Sequence, residues 1–249
     1  MINLPLPYCS LWNRLLRTAA VLTTFSAIVL TGLVLNSSPS RADSNNSSDE
    51  GSQIQIGFAV APVTLNLVGK NHDLVGLGSF IVNVQADCNG CHTTNPGTAY
   101  RGNPNLFAPP STTAHQVKKV NPATYLAGGQ DFGPFPAPNS PLHIVTRNLT
   151  PDDTGMPEGG HTLTEFKQIM RTGIDFDHLH PTCAPNTPQT SSCIPYPFDG
   201  SLLQIMPWPA FQSMTDHQLD AIYEYLKAIP CIDTVIEGQP QLRNHCPSR

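Results

Sequence analysis

The chain has 249 residues and a formal net charge of −5, with 39% apolar and only 12% charged residues. The apolar share supports a buried core, and so little charge excludes a disordered polyelectrolyte. Its 25 prolines predict much irregular loop and few long elements, and no stretch reads as collagen, coiled coil or a bundle of membrane spans.

Residues 1–42 read as an export signal. Arg14 and Arg17 precede an uncharged apolar run over 19–35, and Ser40-Arg41-Ala42 supplies a small-x-small cleavage site. The alternative is an uncleaved anchor over 19–35, and a membrane is an expected partner only in that case. Either way the remainder lies outside the cytoplasm, and the expected location is the periplasm. Loss of Arg14, Arg17 and Arg41 leaves 10 basic against 18 acidic residues, a balance of −8. Such a surface repels nucleic acid and anionic lipid, so neither is an expected partner.

Residues 43–72 read as a linker followed by an extended arm: 43–53 is rich in Ser, Asn and Asp, and 54–67 alternates loosely. The main domain is expected over 73–230. It opens with a helix that Asp73 caps, with Leu74, Leu77, Phe80, Ile81 and Val84 on one face. Gly76 and Gly78 cost helix propensity, which suits a close approach by another helix.

Seven cysteines follow two logics. Cys9 lies in the expected signal, which leaves six in an exported chain. Two of these stand in Cys88-Asn89-Gly90-Cys91-His92, the C-x-x-C-H signature of c-type haem attachment. Two thiols at i and i+3 share one face of a helical turn and can both add to vinyl groups on one porphyrin edge. His92, the next residue, then presents its imidazole to the iron. A redox dithiol, half of a zinc site and a tight structural disulfide are the competing readings. The dithiol lacks a βαβ context, and no second ligand pair follows at finger spacing.

Some fifty residues from Thr93 to Thr146 carry Pro, Gly and Asn without helix signal; Leu142–Thr146 is the best strand candidate. A capping box at Thr162-Leu163-Thr164-Glu165 starts a helix with Phe166, Ile169 and Met170 on its buried side, closed by Gly173. His178 and His180 lie in the following loop; with no third ligand they read as a solvated turn rather than a second metal site. Met206 sits between Ile205 and Pro207-Trp208-Pro209, a proline-stiffened loop that could aim a thioether at an iron. The other methionines read otherwise, Met170 as core and Met214 as a staple on Leu219. A second capping box, Thr215 to Gln218, opens a helix with Leu219, Ile222, Tyr223 and Leu226 as its stripe, stopped by Pro230.

Residues 231–249 form a tail expected to be stapled by a disulfide. Cys183, Cys193, Cys231 and Cys246 allow three pairings. Nearest neighbours, Cys183 with Cys193 and Cys231 with Cys246, close short loops and suit an oxidising compartment.

These residues resemble the mono-haem class I cytochromes c, in particular the bacterial branch associated with periplasmic dehydrogenases. The resemblance spans roughly 74–230. It rests on the haem signature and Thr93, on Arg147-Asn148-Leu149-Thr150-Pro151-Asp152 with Thr154-Gly155, on Glu165-Phe166 to Gly173, on Met206-Pro207-Trp208, and on Asp220 to Leu226. It implies an all-α, loop-rich cytochrome c fold in which first and last helices cross near Gly78 and Tyr223. It also implies one covalent haem c with Cys88 and Cys91 as attachment sites, His92 and Met206 as axial iron ligands, and an exposed haem edge. A backbone carbonyl near Thr150-Pro151 is expected to accept from the His92 Nδ1–H.

The function expected from this is not catalysis but single-electron transfer between a donor dehydrogenase and an acceptor oxidase or another cytochrome. An acidic surface suits a basic or mixed docking face. Two other readings stay open: a haem enzyme or gas sensor with an open sixth position, and a disulfide-stapled binding module without haem.

Overall fold

The structure is a computed structural model and describes residues 43–93, 120–235, 242 and 244–248. The apolar run over 19–35, Cys9, the cleavage site after Ala42 and much of the loop after Thr93 lie outside the described residues. All described residues belong to one unit. Among them no helix is long and apolar enough to cross a membrane.

The linker expected over 43–53, and the first part of the expected arm, are instead helical: α1 runs Asp43–Val60. Its composition is poor for a helix, and tertiary packing supplies what propensity does not. A side chain at Gly57 would meet the carbonyl oxygen of Gly76 at 1.9 Å, so the two backbones touch where α1 crosses α2 (His72–Phe80). The Ser79 hydroxyl donates to the Gly57 carbonyl across that crossing at 2.7 Å. Helix α2 is capped by Asn71, whose side chain accepts from the Asp73 and Leu74 amides, rather than by Asp73 as expected. It continues into a π-helical turn, Ile81–Gln85. That shift in period exposes Val84 and buries Val82 in its stead.

Farther along, α3 (Leu163–Thr172), α4 (Trp208–Phe211) and α5 (Asp216–Ala228) follow. Both expected capping boxes are formed, by Thr162 with Glu165 and Thr215 with Gln218. Helix α5 crosses α2 on the face away from α1. A side chain at Gly78 would meet the Ala221 carbonyl oxygen at 1.9 Å and the Tyr225 Cβ at 2.7 Å. The expected crossing is therefore present at Gly78, with Ala221 and Tyr225 as its partners rather than Tyr223. The core fills in around it, with Val75, Leu77, Ile81 and Val82 of α2 and its π turn buried among Leu219, Ile222, Tyr225 and Leu226.

The all-α expectation does not hold. Asp131–Pro134 (β1) pairs antiparallel with His143–Val145 (β2), Asp131 opposite Val145 and Pro134 opposite His143. The ladder is extended by Gly129 N to Thr146 O at 2.8 Å and Thr146 N to Gln130 O at 3.0 Å. β-branched Ile144 and Val145 favour this pleated surface, and β1 offers the free backbone edge they need. The result is a loop-rich fold of α-helices with a two-stranded sheet. Both nearest-neighbour disulfides are present, Cys183–Cys193 and Cys231–Cys246.

Candidate functional site

A short 3-10 turn, Cys88–Gly90, follows α2 and its π turn. The Cys91 and His92 amides both donate to the Cys88 carbonyl, at 3.2 and 2.9 Å, which sets the two thiols and the imidazole on one tight turn. Asn89 is buried beneath, its side chain accepting from the Leu126 amide at 2.9 Å. While the other four described cysteines pair, Cys88 and Cys91 stay unpaired. Burial, with Asp87 adding to it, pushes the Cys88 thiol to about 12 and raises Cys91 as well. Thiols so hard to ionise make a poor dithiol redox couple.

His92 is held from the far side of its ring. Its Nδ1 lies 2.8 Å from the Arg147 carbonyl oxygen. A carbonyl can only accept, so Nδ1 carries the proton and Nε2 keeps its lone pair. Desolvation holds the imidazole below its ordinary pKa, which also favours the neutral ring. The acceptor thus lies on Arg147, upstream of the Thr150-Pro151 carbonyls that were expected. The reason is local: Gly128 packs against the Arg147–Asn148 peptide so closely that a Cβ would lie 2.4 Å away, while its amide donates to the His92 carbonyl at 3.2 Å. Backbone and ring of His92 are clamped by the same pair of segments.

Cys88, Cys91, His92 and Met206 all line one cavity. It holds about 1390 Å³ of atom-free space, open mouth included. Its walls are mainly apolar. Val82, Phe166, Ile222 and Leu226 come from the helical core, while Ile144 and Val145 come from β2, so the sheet missed in the all-α expectation is one wall of the site. The Met206 loop is fixed by its neighbours: the Leu203 amide donates to the Gly173 carbonyl at 2.7 Å, and the Trp208 ring lies where a Gly173 side chain would be, 2.3 Å from its Cβ. Met170 belongs both to the core, as expected, and to the cavity lining; Met156 and Met214 are not in the lining.

This donor set fits a c-type haem. Two thiols sit on one turn, an imidazole is fixed in the tautomer that coordinates metal through Nε2, and a thioether and an apolar lining complete it. Among the described residues no three His, Cys, Asp or Glu side chains gather into a group that could hold a metal ion.

The sequence reading gave three residues of this cavity no part in it. Arg147, Glu158 and His180 line it, and the last two are buried polar side chains with an atom that lacks any partner, Glu158 Oε2 and His180 Nδ1. Only Gly159-Gly160 after Glu158 hinted at a special turn there; His180, read with His178 as a solvated turn, is instead buried, while His178 is exposed. No family model matches this chain, and comparison with curated proteins and with solved structures finds no match.

Proposed function

We propose that the chain is a periplasmic electron-transfer protein carrying one covalently attached haem c, with Cys88 and Cys91 as the thioether sites and His92 and Met206 as the axial ligands. The observation that carries this reading is the single apolar cavity onto which those four side chains converge, with the tautomer of His92 already set by Arg147. When bound, the haem supplies a reversible one-electron couple; the chain holds it, excludes water and governs access. Arg147 fixes the imidazole ring, and the apolar walls keep the cavity dry. With Met206 as sixth ligand neither axial position is open to a substrate, which suits transfer rather than catalysis. Cys91 is exposed, so the attached edge meets solvent, where a partner protein can dock within reach of the iron.

The test is an absorption spectrum, in both redox states, of protein exported alongside the haem-attachment machinery, with Met206→Ala beside it. The expected result is a low-spin spectrum of a doubly attached haem that survives acidified organic solvent. Met206→Ala should open the sixth position, so that the reduced variant binds carbon monoxide promptly and the unaltered protein does not. A colourless product, or extractable pigment, overturns the proposal. Prompt carbon monoxide binding by the unaltered protein moves it to the class of gas sensors and haem enzymes.

A further inference from the structure

Arg147, Glu158, Asp175 and His180 line the cavity as ionisable side chains that thioether attachment and axial ligation do not use. Glu158 is buried, 7% exposed, at the tip of a turn closed by Gly160 N and His161 N donating to the Pro157 carbonyl, both at 3.2 Å. Its backbone sits at φ 56°, and two glycines at φ 75° and 89° follow it. A non-glycine residue in the left-handed region is strained, and such strain is held where the surrounding structure over-determines it.

Charge partners are unevenly shared in this group. The Arg147 guanidinium is taken by Asp177, as is the His161 ring through Nε2 at 3.2 Å. Burial works upward on Asp177, but these two partners outweigh it and hold its carboxyl below the usual range. Asp175 spends its oxygens on the Asp177 and Leu179 amides, at 3.2 and 2.8 Å. The Tyr223 hydroxyl donates to the His161 carbonyl at 2.9 Å, and His180 lines the same cavity with burial keeping its ring neutral. That leaves Glu158, with an oxygen that has no hydrogen-bond partner, as the carboxyl without a stabilised charge.

We propose that Glu158 is a proton-binding site coupled to the electron: the carboxyl takes up one proton from solvent when the cavity's cofactor gains one electron from its donor, and releases it on oxidation. The inference rests on the haem reading above and adds a function to it. In the reductive half-cycle one electron and one proton enter together, the carboxylate oxygen of Glu158 becoming the O–H of the neutral acid; in the oxidative half-cycle both leave, and no further reactant is needed. A charge added to a low-dielectric cavity raises the proton affinity of a nearby carboxylate that has no cation of its own. Burial already pushes Glu158 up to about 7, with Arg147 and His161 working downward and Asp177 and Asp175 upward, so this group is poised to respond near neutrality. Asp177, tied to two cations, is not.

Redox titration of the purified holoprotein across neutral pH tests this. The midpoint potential is expected to fall as pH rises around about 7, approaching about 59 mV for each tenfold drop in proton activity. Glu158→Gln should flatten that slope, and Glu158→Asp, which keeps a carboxyl, should retain it. A slope unchanged in Glu158→Gln overturns the proposal by assigning the proton elsewhere. Should that variant fail to fold, dye-reported proton uptake on reduction of the unaltered protein in weak buffer still decides: no uptake near neutrality overturns it. A preparation without haem absorption fails the underlying reading instead, so the two failures are distinguishable.

Discussion

His92 and Glu158 show how far a side chain's chemistry depends on residues remote in sequence. The imidazole tautomer is set by a carbonyl 55 positions away, and no local pattern around the haem signature announces that partner. Glu158 has a second consequence, for stability. In an unfolded chain its carboxyl ionises near its ordinary 4.5, whereas in the fold burial delays this to about 7. The folded state therefore binds the proton more tightly, and the stability this contributes is complete below about 4.5 and is lost as pH rises through about 7. His161 acts with the same sign, since its hydrogen bond to Asp177 raises it and the contribution fades as pH climbs past its raised value. Chemical denaturation of the holoprotein at several pH values should show stability declining across this window. In Glu158→Gln the decline should be smaller by about 3 kcal/mol, the order of a shift from 4.5 to about 7. An identical decline in both proteins would mean that Glu158 is ionised at no cost.

At the scale of elements, the legible features were those whose signals are local. Both capping boxes, the Gly173 stop, the apolar stripe of α5 and the strand at 143–145 could be read because each is written within a few residues. What escaped was written at a distance. Helix α1 has a Ser- and Asn-rich start and almost no amphipathic pattern; its reason to be helical is the Gly57–Gly76 contact, which needs α2 already in place. Strand β1, Asp131–Pro134, contains Gly133 and Pro134 and becomes a strand only because β2 lies beside it. The glycines of α2 were legible as packing positions, though not that Gly76 faces one helix and Gly78 another. Gly78→Ala puts a methyl where the Ala221 carbonyl stands 1.9 Å away, and backbone on both sides cannot yield by rotating a side chain. We expect a loss of about 2–3 kcal/mol, at the upper end of the cost of overpacking, read as a lower denaturation midpoint. Gly51→Ala, where nothing lies within 4 Å, is the control and should cost nothing.

Across the whole molecule, the C-terminal tail ties the far end of the chain to the segment that holds His92. Asn148, next to Arg147, donates through Nδ2 to the Ile232 carbonyl and to the Thr234 hydroxyl, each at 3.0 Å. Asn244 donates to the Thr150 hydroxyl at 3.2 Å and to the Pro151 carbonyl at 3.1 Å. The Cys231–Cys246 bond, spanning 15 residues, closes the loop that brings Asn244 there. The even cysteine count made a stapled tail legible; that the staple bears on the His92 ring was not, because the motif around Asn148 gives no sign of its partners. Replacing Cys231 and Cys246 together with serine should cost about 3 kcal/mol, as expected for a loop of this length. It should also loosen residues 147–151 and with them the Arg147 carbonyl, so that the imidazole loses its fixed orientation. Removing Cys183 and Cys193 frees a loop of 10 residues and should lower stability by a similar amount without reaching His92. On the haem proposed above, exchange of an added ligand onto the ferric iron separates the two. We expect faster exchange in the tail variant than in the 183–193 variant at matched stability, and equal rates would show that the tail steadies the fold but not the ligand.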